Sequence, residues 1–174
     1  MPATRLRQPA ELDDLLLYKL SRLLSVGGSL VIRLCEGRFG ITRREWRVIA
    51  RLAREPDLLS SSLAERIQLD RARTSRAVTS LVAKKLVKRE TGAADRRQAR
   101  LALTPSGMAL YQELFPLVCD INRGLLAPLT ALEVQQLDAG LAAMQRRADA
   151  MVQGAVELPR ADRRRGGRAR LGVV

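Results

Sequence analysis

The apolar period of this chain changes once, near Val87, and that change restricts the architecture more than any other feature. Before it, Thr74, Val78, Leu81 and Lys85 follow one another at helical spacing, with Val82 and Leu86 beside them. After it, Ala99, Leu101 and Leu103 alternate with Gln98, Arg100 and Ala102, the pattern of a half-buried strand. Gly92 interrupts the stretch between, so residues 88–103 are expected to form a two-stranded hairpin directly behind a helix. Asp70 stands where that helix needs an acidic N-cap. Its packed face leaves Arg73, Arg76 and Ser80 on the other side. A helix that projects arginines from its first turns can reach base edges in a major groove, and the Asp95-Arg96-Arg97 run of the hairpin can reach phosphates or a minor groove. The partner implied is duplex DNA.

The rest of the chain reads as helices. Leu16, Leu20, Leu23, Gly27, Leu30 and Leu34 recur at alternating fours and threes, which predicts one long apolar helix from about Leu12 to Leu34. Thr42-Arg43-Arg44-Glu45 is a capping box opening a helix whose Trp46, Ile49, Ala50 and Ala53 are buried and which stops before Pro56. Ser62 and Glu65 stand at the same spacing before a short helix, Leu63 to about Gln68. Thr104-Pro105 is a cap followed by proline at the first helical position. Pro116 falls inside the helix that follows and is expected to bend or break it. A further box, Thr130 to Glu133, precedes a last helix with Leu137, Leu141, Met144, Ala148 and Met151 in heptad-like order, the pattern of a core or a dimer seam. From 154 to 174 the chain is arginine-rich without apolar period, which predicts a basic tail lacking packed structure.

Composition narrows the chemistry. Net charge is +13, as for proteins that bind nucleic acid, although acidic membranes attract such charge equally. Aromatics make up 3%, too few for a single-strand binder that stacks bases. The chain has no histidine, which removes Ser-His-Asp and Cys-His triads and histidine-ligated metals, and no glycine-rich phosphate loop is present. Neither an enzyme nor a cofactor or metal protein is expected. Met1 to Arg7 has no apolar run behind it and no apolar stretch spans a bilayer, so a cytoplasmic protein without membrane contact is expected. Cys35 and Cys119 belong to no C-x-x-C pair and read as apolar fillers; Arg33 and Arg38 near Cys35 leave a thiol sensor as the alternative.

Six pieces then stand in order: Trp46 and Val48; Leu63-Ala64-Glu65-Arg66; Leu69-Asp70-Arg71 through Arg76; Lys84-Lys85-Leu86-Val87-Lys88-Arg89; Asp95-Arg96-Arg97; and Leu103-Thr104-Pro105-Ser106-Gly107. Together they resemble the winged helix-turn-helix of the MarR (multiple antibiotic resistance regulator) family over residues 42–107, and the flanking long helices resemble that family's dimerisation region. The resemblance implies a mainly α fold with a small two-stranded β-wing. It divides the chain into an N-terminal arm (1–10), a dimerisation helix (11–40), a winged helix-turn-helix (41–104), dimerisation helices (105–153) and the tail (154–174). It also implies a homodimeric regulator on a palindromic operator, released by a small, often aromatic anion. The recognition helix maps onto Arg71, Arg73, Ser75, Arg76 and Thr79, and the wing onto Asp95, Arg96 and Arg97, with Asp95 holding Arg97 toward the minor groove. The family's glycine before Leu86 is Lys85 here, so the turn is expected to manage without positive φ.

The effector site implied by the resemblance lies between the dimerisation helices and the winged domain. Tyr18, Ser29, Arg33, Phe39, Trp46 and Arg47 are the candidates, with Arg33 pairing a carboxylate and Trp46 facing a ring. Against each assignment stands a plainer one: the arginines as a solvated face, Asp95 and Arg97 as a surface ion pair, Trp46 as core. A basic protein that coats nucleic acid without reading sequence is the alternative function. A ligand-binding dimer that has lost DNA recognition is a third.

Overall fold

The computed structural model describes residues 5–67, 69–92 and 95–154, with backbone alone over 91–98. A 3-10 turn at Leu12–Asp14 is closed by the Asp14 carboxylate, which accepts the amides of Ala10 and Glu11. Helix α1, Leu16–Phe39, runs five residues beyond the expected end, because Cys35 and Phe39 continue its packed face. Gly40, at φ 62°, ends it in the left-handed conformation that glycine adopts without penalty.

Helix α2, Arg43–Arg54, opens on the expected capping box: the Glu45 amide donates to Thr42 Oγ1 at 3.2 Å and the Thr42 amide to Glu45 Oε2 at 2.6 Å. Trp46, Ile49, Val48 and Leu52 are buried, with Ala50 packed behind them. Strand β1, Leu58–Leu59, and helix α3, Ser60–Arg66, differ from expectation. Leu58 and Leu59 pair with Leu101 and Arg100, which fixes the chain one turn earlier. Ser60, Ser61 and Ser62 therefore form the first turn of α3, and Ser62 is not its cap.

Helix α4, Arg71–Ala83, is capped by Asp70 as expected. It ends at Lys85, whose φ of 58° corrects the expectation of a turn without positive φ. The Lys85 amide donates to the Val82 carbonyl and the Leu86 amide to the Leu81 carbonyl, the paired bonds that close a helix around a left-handed residue. Those bonds require the conformation, so lysine adopts it despite the clash of its Cβ.

Strands β2, Val87–Gly92, and β3, Asp95–Leu103, form the expected antiparallel hairpin, in register from Val87↔Leu103 to Glu90↔Arg100. With β1 on the far side of β3, the sheet has three strands in the order β1-β3-β2. Helix α5, Pro105–Leu126, starts where Thr104 Oγ1 accepts the Gly107 amide at 3.0 Å. The Thr104 hydroxyl donates to the Lys85 carbonyl at 2.7 Å and its amide to the Leu86 carbonyl at 3.1 Å. Gly107 makes this approach feasible: a Cβ there would lie 2.0 Å from the Leu86 oxygen. Pro116 does not break α5. The carbonyl it leaves without an intrahelical donor, that of Gln112, belongs to an exposed residue.

One core joins these elements. Cys35, Ile41, Val48, Ile49, Leu52, Leu63, Val78, Leu81, Val87, Leu101 and Leu114 are almost wholly excluded from solvent within it. Residues from Leu126 onward form a second unit. Its helix α6, Ala131–Gly154, begins at the expected box, where the Thr130 amide donates to Glu133 Oε2 and the Glu133 amide to Thr130 Oγ1. Leu132, Leu137, Leu141, Met144, Met151 and Val152 on α6 are exposed. Among the described residues no helix is long and apolar enough to cross a membrane. The basic tail beyond Gly154 lies outside the described residues.

Candidate nucleic-acid interface

Helix α4 is held by one face and presents the other. Thr74, Ala77, Val78 and Leu81 are buried. Arg71, Arg73, Ser75, Arg76 and Thr79, the five residues expected to read DNA, are all exposed on the opposite side. The Asp70 cap accepts the Arg73 amide at 2.8 Å through Oδ1, while Oδ2 lies 3.0 Å from Arg73 Nε. The first turn therefore carries a bound carboxylate and a guanidinium already in a fixed relation to the helix axis.

Two grooves flank α4. In one, Arg71 and Ser75 meet Ser60 and Ser61 of α3 and Arg89 of β2 around a cleft of about 340 Å³. Two guanidiniums and several hydroxyls so arranged suit phosphate oxygens, which accept from all of them. In the other, of about 220 Å³, Arg73 and Arg76 lie beside Arg44 of α2. Sequence reasoning missed Ser60, Ser61, Arg44 and Arg89. Ser60 and Ser61 stand ahead of the expected helix start at Leu63, and Arg89 comes toward α4 only through the fold of β2. The side chains of Asp95, Arg96 and Arg97 lie outside the described residues; the backbone places Asp95 opposite Gly92 at the hairpin end.

Behind this surface, Glu45 is 2% exposed and, through Lys84, ties α2 to α4 and to the end of α1. Lys84 Nζ, at the end of α4, donates to both Glu45 carboxylate oxygens at 3.0 Å and to the Gly40 carbonyl at 2.8 Å. Burial pushes the Glu45 carboxyl up, but hydrogen bonds from Ser80, Thr42 and Lys84, with the Lys84 charge, outweigh it and leave it below its usual value. Ser80, expected on the open face, is instead half-buried against this carboxylate.

The six candidate effector residues are not gathered at one place. Tyr18 is half-buried, Ser29 is exposed with its hydroxyl on the Val26 carbonyl, and Arg33 is exposed. Phe39 is half-buried under the Arg38 guanidinium, 5.4 Å from its ring centroid. Tyr18 and Phe39 stand 21 residues apart on one helix, about 30 Å along its axis at the usual rise, too far to line one small-molecule site. Trp46 is buried and stacks on Tyr111 at 5.8 Å, and Tyr111 in turn on Phe115 at 5.2 Å. Trp46 and Arg47 do share a concavity of about 580 Å³, with Ala50, Arg51, Arg54, Arg66 and Ile67. Cys35 is wholly buried, and burial, followed by the Glu36 charge, pushes its thiol up, opposite to what a sensor thiolate requires. Cys119 is half-buried. Among the described residues no group of three acidic or cysteine side chains could hold a metal.

An exposed, capped arginine helix, a short helix packed before it and a basic hairpin after it define a winged helix-turn-helix protein. Comparison with known proteins agrees. The MarR family matches residues 39–98. The homoprotocatechuate degradative operon repressor of Escherichia coli is 30% identical over 100 residues, covering 58% of this chain and 68% of that one. A MarR family transcriptional regulator from Silicibacter pomeroyi superimposes with a TM-score of 0.67 at 27% identity, over 77% of this chain and 90% of the other. The S. aureus MepR–DNA complex gives a TM-score of 0.66 over 74% of this chain and 96% of the other; at 24% identity this likeness speaks for the fold. The chain belongs to the MarR family: it is a DNA-binding transcriptional regulator, not an enzyme.

Proposed function

We propose that this regulator is a homodimeric, cytoplasmic repressor that reads a palindromic operator and leaves it when a small, aromatic anion binds. The observation that carries the reading is the face of α4, where Arg71, Arg73, Ser75, Arg76 and Thr79 are exposed together. Arg73 and Arg76 supply forked contacts to guanine, and the Asp95-Arg96-Arg97 wing grips the flanking minor groove. The repressor name of the Escherichia coli relative and the DNA in the MepR complex support the same reading.

Dimerisation is supported by apolar side chains that a monomer rarely leaves in water. Leu17, Leu20, Leu23, Leu24, Val26 and Leu30 of α1 are exposed, as is the apolar stripe of α6. In this division residues 11–40 and 105–153 pair two copies, 41–104 read DNA, and 154–174 add electrostatic grip. Half-sites then lie about one helical turn, roughly 10 bp, apart. If a dimer neutralises about six phosphates, the log–log salt slope is near −5.

The test is binding to duplex DNA from upstream of the chain's own gene against a scrambled duplex, at about 0.15 M salt, followed by selection from genomic fragments. A preference on the order of 10³ supports the reading. Equal affinity for all duplexes in both experiments replaces it with a coating protein.

A further inference from the structure

Glu45 and Lys84 meet where three helices join. Lys84 Nζ donates at 2.8 Å to the carbonyl of Gly40, the residue that ends α1, and at 3.0 Å to each carboxylate oxygen of Glu45 in the first turn of α2. Ser80, one turn earlier on the same side of α4, bonds the same carboxylate. The end of α4 is thus fastened to α1 and α2 by polar bonds, whereas Ala77, Val78 and Leu81 hold its middle by apolar contact, which has no preferred direction. An ion pair of this kind contributes little more stability than apolar side chains of the same size. Its short, directed bonds instead fix where the end of one helix stands against the end of another.

We propose that Lys84, through Gly40 and Glu45, is a positioning residue that sets the distance between the two recognition helices of the dimer, and with it the half-site spacing the regulator accepts. This role, which rests on the dimeric reading above, follows from α1, whose exposed apolar side chains pair two copies there. With α1 as the shared element, whatever fixes α4 against α1 fixes the two α4 helices against each other. The lever is long enough to matter. Arg73 stands eleven residues before Lys84, about 16 Å at the usual helical rise, so a tilt of about 10° at Lys84 moves it by about 3 Å. That is close to the step of one base pair, about 3.4 Å, so a loosened junction lets Arg73 follow a half-site displaced by one pair.

The full chain is compared with E45Q/K84M. Glutamine keeps the capping box of α2, and methionine keeps the stem of Lys84 without its charge, so no buried ion is left alone. The probes are the preferred duplex selected from random sequence and copies of it with one or two base pairs added or removed between the half-sites. Wild type is expected to lose about tenfold in affinity for each such pair, a cost like that of one mismatched pair. E45Q/K84M should lose less than about threefold while melting close to wild type. Lys84→Met alone, with Glu45 kept, should flatten the profile likewise. The core variant Ile49→Val, which loosens α2 without touching the junction, should keep the wild-type profile. An equally sharp profile in the Lys84 variants, or an equally flattened one in Ile49→Val, overturns the role of Lys84 and leaves the dimer standing. A wild-type affinity indifferent to spacing overturns both, because a dimer with linked half-sites cannot show it.

Discussion

Arg73 and Asp70 are joined twice within one turn of α4: one carboxylate oxygen accepts the arginine's backbone amide and the other its Nε. The same acid thus caps the helix and orients the guanidinium, leaving the two terminal nitrogens for a forked contact.

Asp70→Asn separates the two roles, because asparagine caps a helix about as well as aspartate but brings no charge to Nε. Its stability should stay within about 0.5 kcal/mol of the wild type. Its discrimination at the base facing Arg73 should fall about two- to fivefold, the size of a half-exposed ion pair. Affinities for operators substituted one base at a time measure this, and undiminished discrimination would sink the idea. Asp70→Ala should lose both properties, with about 1 kcal/mol of stability.

Glu45 and Lys84 set an acid limit on the fold. The Glu45 carboxyl titrates below its ordinary value in the folded chain, so unfolding takes up a proton there as pH falls. Its contribution is complete above the unfolded value, about 4.3, and is lost as pH drops through the lower folded value. Melting temperatures between pH 6 and pH 3 should therefore fall more steeply for wild type than for Glu45→Gln. At neutral pH, Lys84→Ala leaves a buried carboxylate without its cation and should cost about 1–2 kcal/mol, discounted because Lys84 is partly exposed.

Lys85 holds a conformation that glycine adopts freely. Lys85→Gly should raise stability by about 1 kcal/mol, the penalty of a left-handed side chain less glycine's greater freedom when unfolded. The urea midpoint should rise at unchanged slope, and Lys85→Ala should give no such gain.

Arg89 faces the cleft with Arg71 and no base-reading helix of its own. Arg89→Ala should weaken operator and scrambled DNA by the same factor, and the salt slope should become shallower by about 1. A loss confined to the operator would assign Arg89 to base reading instead.

Local chemistry made most of the fold legible. Thr42, Asp70, Thr104 and Thr130 cap helices where the sequence places them, because a cap depends on residues within one turn. The period change at Val87 marked the hairpin for the same reason. What escaped depends on residues far apart in sequence. Strand β1 is two residues long, too short for any period, and exists because β3 pairs with it. Glu45 was legible as half of a capping box, but its bond to Lys84 spans 39 positions. The burial of Trp46 was legible from its helical spacing, but its stacking on Tyr111 of α5 was not, because no local pattern links the two. Of the DNA-facing residues, α4 was readable because one helix carries them all; Ser60, Ser61 and Arg89 needed the fold to bring them there.

The hairpin leaves the domain at Leu86 and returns at Thr104, and those two residues are bonded to each other, with Gly107 pressed against the same carbonyl. Departure and return coincide, so the hairpin is clasped at its root and anchored in the core through Val87 and Leu101. Lengthening or shortening its tip changes only a loop closure, about 0.6 kcal/mol for each doubling, and leaves the helices where they are. A change of insert length at the tip thus alters reach along the DNA alone, whereas a side chain at Gly107 drives into the Leu86 carbonyl and opens the clasp.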